Sequence, residues 1–113
     1  MQILNRSAIT LAYKKPFIDW HNNLMPDMPY YENITGESAI TYLIPDFKGN
    51  ADVVIKKYYK EIFETELFQM WTDENAWPPK ITIKLFHEWF SAEISGWVYD
   101  LDKKELGRSK FDL

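Results

Sequence analysis

From residue 7 to residue 13 the side chains alternate, with Ile9, Leu11 and Tyr13 on one side of an extended chain and Ala8, Thr10 and Ala12 on the other. That period predicts a strand. Pro16 follows at once and suits the first turn of a helix, where a missing N–H costs little. The helix should run through Phe17, Ile18 and Trp20 to about Leu24. Residues 25–37 hold two prolines, a glycine and two Asn or Asp turn formers, which predicts a loop near the upper length for a compact domain. Tyr30 and Tyr31 are the side chains available to pin it. Residues 39–44, AITYLI, are nearly all apolar or β-branched and end at Pro45. This is the pattern of a strand buried on both faces.

The longest amphipathic segment begins after Asn50, a predicted N-cap, with Asp52 placed to complement the helix dipole. Val54, Ile55, Tyr58, Tyr59, Ile62, Phe63, Leu67 and Met70 recur at spacings of three and four, so a helix should reach about Met70. Beyond a Trp77-Pro78-Pro79 break, Thr82 can cap a second helix to Phe90, with Ile83, Leu85, Phe86, Trp89 and Phe90 in one arc. Residues 80–86 also alternate as a strand would, but the helix is the preferred reading. Residues 92–101 predict one last strand, with Ile94 and Val98 on one face and Trp97 and Tyr99 on the other.

The expected order is β-α-β-α-α-β. Residues 1–101 would form a small α+β domain, a single-layer sheet of about three strands with helices packed on one face. Residues 102–113 would be a charged, loosely held tail. Such a sheet leaves its second face open, and that face would carry Trp97 and Tyr99.

Composition adds limits. With 113 residues, 46% hydrophobic and 27% charged, the chain fits one ordinary globular domain. A net charge of −4 with Arg6 and Arg108 as its arginines argues against nucleic acid, which needs clustered basic side chains. The absence of cysteine excludes disulfides, thiolate nucleophiles and Cys-based metal sites. No apolar run approaches a membrane span and no signal-peptide pattern opens the chain, so the cytoplasm is the default compartment. Isolated glycines cannot build a phosphate cradle, and there is no nucleophile elbow, EF-hand or dinucleotide fingerprint. No cofactor and no metal are therefore expected.

Several short runs recur together: Asn5-Arg6-Ser7-Ala8-Ile9, Pro16-Phe17-Ile18-Asp19-Trp20, Tyr42-Leu43-Ile44-Pro45, Trp71-Thr72-Asp73-Glu74, Trp77-Pro78 and Phe86-His87-Glu88-Trp89-Phe90. This set resembles a family of small, uncharacterised bacterial proteins of about this length, over roughly residues 5–101. The resemblance implies a bacterial, cytoplasmic, single-domain protein and carries no activity or ligand. Ser91 departs from the acidic residue the resemblance leads one to expect there.

Three polar groups stand out against the apolar pattern. Glu66 falls within the apolar arc between Ile62 and Met70, so it either points into the core, where it must be paired, hydrogen-bonded or protonated, or lies at the edge of a drifting stripe. Arg6 is its candidate partner. His87 should sit at the core margin with one hydrogen bond. It lacks the second histidine of a zinc-protease helix, since position 91 is serine. Asp19 and His21 project to opposite sides of a helix.

Four of the five tryptophans lie between Phe68 and Leu101. Such a supply of aromatics exceeds the needs of a small core and favours a non-enzymatic protein-interaction module, with a homodimer or another protein as partner. Trp71, Asp73, Glu74, Trp77, Trp97 and Tyr99 are the expected contact residues. The alternative is a small enzyme or a small-ligand or cation binder. It would use an acidic, Trp-lined pocket in which Asp73, Glu74 and His87 converge with Arg6 or Glu66.

Overall fold

The computed structural model describes residues 1–30 and 39–111. The fold is α+β, with three helices and two small antiparallel sheets. Strand β1 is Gln2–Ile3 and β2 is Arg6–Tyr13, followed by helix α1, Lys15–Leu24. Strand β3, Ile40–Pro45, leads into the long helix α2, Ala51–Met70. After a 3₁₀ turn at Glu74–Ala76 come helix α3, Ile83–Trp89, strand β4, Phe90–Ser95, and strand β5, Tyr99–Asp100.

Local chemistry accounts for the helix ends. Pro16 occupies the first turn of α1. The Asn50 side chain accepts from the Asp52 N–H and starts α2. Thr82 accepts from Leu85 N–H at 3.1 Å and starts α3, so residues 83–89 are helix and not strand. Phe90 does not continue that helix: it opens β4, with no intervening loop.

The main sheet has the order β3-β2-β4, with β2 at its centre and antiparallel to both neighbours. Ile9 and Leu11 of β2, Ile44 of β3 and Phe90 of β4 point to one face. There they meet Phe17 of α1, Ile62, Phe63 and Leu67 of α2, and Phe86 of α3. The centre is aromatic. The Phe63 and Phe90 rings meet edge to face at 5.0 Å, and Phe17 lies 5.1 Å from Phe90. Trp20 and Trp89 close this cluster from α1 and α3.

The other sheet face carries small residues: Thr10, Ala12, Thr41, Ser91 and Ser95, with Leu43 and Glu93 among them. Strand β3 is accordingly not buried on both faces as its apolar run suggested. It is an edge strand whose Thr41 and Leu43 face outward, and apolar content alone does not reveal the lack of a second neighbour.

The expected single strand over 92–101 is divided. β4 stops at Ser95, and Tyr99–Asp100 pairs instead with Gln2–Ile3 in a separate two-stranded ribbon. Between the pairs Ile3↔Tyr99 and Ala8↔Ser95 lie four residues of the first chain segment but three of the second. The register thus differs by one residue between the two sheets, as it does across a β-bulge, and the main sheet ends there. Trp97 and Tyr99 consequently lie past the end of the open sheet face, not on it.

Candidate functional site

Trp71 and Trp77 hold a loop closed. The Trp77 indole N–H donates to the Trp71 carbonyl at 2.8 Å, and the Trp20 indole N–H donates to the Ala76 carbonyl at 2.8 Å. Two backbone carbonyls of this turn region thus find partners on tryptophans. Asp73 accepts from the Asn75 N–H at 3.0 Å and caps the 3₁₀ turn. Glu74 is exposed beside it.

Trp97 is 62% exposed and Tyr99 57% exposed. The Lys48 ammonium sits 3.8 Å from the centre of the Trp97 ring, donates to the Gly96 carbonyl and pairs with Asp46 at 3.0 Å. One lysine therefore ties the chain between β3 and α2 to the turn between β4 and β5.

Glu66 is fully buried, so the reading that placed it at the edge of a drifting stripe does not hold. Its partner is not Arg6, whose guanidinium donates to Asn5. The Tyr13 hydroxyl donates to Glu66 Oε1 at 2.7 Å, and the Tyr42 hydroxyl donates to Oε2. Strands β2 and β3 thus each send one phenol to a carboxylate on α2. Burial raises both phenol pKa values well above their ordinary value, and the Glu66 charge and hydrogen bonds push the same way. Glu61 adds to the effect at Tyr42.

His87 is exposed on α3, not at the core margin, and its carbonyl accepts from the Lys14 ammonium. The buried histidine is His21, beside Asn22 Oδ1 at 3.1 Å and 4.6 Å from the Tyr30 ring. The Tyr30 backbone is held by the Asn22 side chain, which donates to its carbonyl and accepts from its N–H, while the Tyr30 ring packs on His21 and Tyr13. Tyr31 lies outside the described residues.

Among the described residues no hydrogen bond or ion pair joins any two of Arg6, Glu66, Asp73, Glu74 and His87, and no group of three His, Asp or Glu side chains could hold a metal. No helix among them is long and apolar enough to cross a membrane.

A different feature has the shape of a binding site. Between β3 and α2 runs a groove of about 140 Å³, lined by residues 42–45 on one side and by Tyr58, Glu61, Ile62 and Thr65 on the other. Successive strand side chains point to opposite faces, so a groove touching four in a row meets β3 along its backbone edge. That edge has no strand partner among the described residues. Sequence patterns missed this site because edge position depends on how many neighbours a strand acquires.

The chain matches no protein-family model, no curated protein sequence and no solved structure.

Proposed function

We infer that the protein is a non-enzymatic protein-interaction module that receives an extended peptide segment in the groove between β3 and α2. The observation that carries this reading is the juxtaposition of a free strand edge with an apolar groove roofed by a helix. In strand addition, the edge offers main-chain hydrogen bonds, and the adjacent groove selects alternate side chains. Tyr58 and Ile62 supply an apolar wall and Glu61 a charge at its rim. Pro45, at the end of β3, limits open-ended pairing, a common safeguard on edge strands. The resemblance to small bacterial proteins supports a cytoplasmic setting.

The test uses a phage-displayed library of random peptides. Selected peptides are expected to shift backbone amide NMR signals of residues 40–45 and 58–65. Thr65→Arg, which fills the groove from α2, should abolish the shifts. A library yielding no binder, or binders whose shifts map elsewhere, would overturn the assignment.

A further inference from the structure

The segment from Leu101 to Phe111 is neither helix nor strand, and every residue in it is exposed. Leu106 is 60% and Phe111 63% exposed, which leaves two large apolar side chains in water within a charged run. Four of the chain's thirteen basic residues but two of its seventeen acidic residues lie between Leu101 and Phe111. Among the described residues none of Lys103, Lys104, Arg108 or Lys110 makes an ion pair. The remainder of the chain is thereby strongly acidic, and the groove rim carries Glu61.

We propose that this segment is the natural occupant of the groove on a second copy of the chain, so that two copies exchange arms. The proposal rests on the groove reading above and names its partner. One molecule carries both an unpaired strand edge and an unpaired apolar arm of opposite charge balance. Laid as a strand along β3, the arm places Leu106 and Phe111 on opposite faces, because they are five residues apart. Leu106 then enters the groove against Tyr58 and Ile62, with Arg108 on the same face near Glu61. Phe111 falls on the open side, the side of Leu43, which is 51% exposed. Gly107 and Ser109, on that side too, continue the small-residue surface formed by Thr10, Thr41 and Ser95.

Sedimentation velocity of the full chain over a range of concentrations is expected to show a monomer–dimer equilibrium. Leu106→Asp, in a residue 60% exposed in its own fold, and Thr65→Arg should each weaken the dimer about tenfold or more. Mixed in equal amounts, the two variants should regain a heterodimer through one intact arm and one intact groove, which an arm folded back on its own chain cannot produce. A chain monomeric at every concentration, a dimer that survives Leu106→Asp, or no recovery on mixing would each overturn arm exchange. A synthetic peptide of residues 101–111, titrated into Leu106→Asp, separates the two levels of inference. Binding that Thr65→Arg abolishes, with a monomeric parent chain, keeps the groove and removes the second copy as its occupant. No binding of that peptide, together with an empty library selection, removes both.

Discussion

Removing the Tyr13 and Tyr42 hydroxyls together should cost more stability than removing the carboxylate they serve. Glu66 has no exposed surface, and both its oxygens accept from these phenols. A hydrogen bond to a charged group contributes about 1.5–3 kcal/mol, so Tyr13→Phe and Tyr42→Phe should each cost about that much. The double variant strands a buried carboxylate without a donor, at about 3–5 kcal/mol, a large share of the ~5–15 kcal/mol that holds a domain folded. Glu66→Met removes the charge instead, fills similar volume, and leaves two neutral hydroxyls on half-buried tyrosines. It should cost about 0–2 kcal/mol. Adding Glu66→Met to the double variant should then restore most of the loss. Guanidinium unfolding followed by tryptophan fluorescence reads the parent and all five variants, since Trp20 and Trp89 pack on the core. If the double phenylalanine variant loses less than Glu66→Met, the hydroxyls do not hold the carboxylate and the reasoning fails.

The same phenols make the fold sensitive to alkali. Their folded-state pKa values lie above the ordinary 10.0, so above about pH 10 the unfolded chain binds fewer protons than the folded one and stability falls as pH rises. Their stabilisation is complete below that pH. Urea midpoints between pH 8 and 11 should drop more steeply in the parent than in the double phenylalanine variant. Thr82→Ala should cost about 1 kcal/mol through the lost cap on α3, measured by chemical unfolding. Trp20→Phe should speed hydrogen exchange of amides 74–77 by releasing the Ala76 carbonyl, with the fold otherwise intact. Lys48→Met should alter Trp97 fluorescence and loosen the turn between β4 and β5, seen as faster exchange at Val98 and Tyr99.

Features decided within a few residues were legible in the sequence. Asn50 and Thr82 cap their helices as expected because capping needs one side chain and the next turn's N–H groups. The helical period likewise brought Glu66 into the apolar arc. Its partners were not legible, since Tyr13 and Tyr42 reach it from two strands whose positions depend on the whole fold. Alternation persists through residue 100, so Trp97 and Tyr99 read in the sequence as part of one continuous strand. The register shift where the strand ends involves the opposite segment, so residues 92–101 contain no sign of it. The groove was invisible for a related reason. Residues 40–45 read the same at a sheet centre and at its edge, and α2 lines the groove with Tyr58, Glu61 and Thr65 that pattern alone assigns to stripe or solvent.

The central position of β2 has a consequence for synthesis. Both other strands of the main sheet pair with β2, yet one of them spans residues 90–95, with Tyr13 opposite Phe90 and Ala8 opposite Ser95. On the ribosome, Ile9 and Leu11 must wait for residues 90–95 before the sheet can close around them. Pairings this distant in sequence are slow to form and leave apolar surface uncovered meanwhile. A nascent chain halted before residue 90 would therefore present a sticky half-sheet. The cell's holding chaperones are expected to meet this protein in that state.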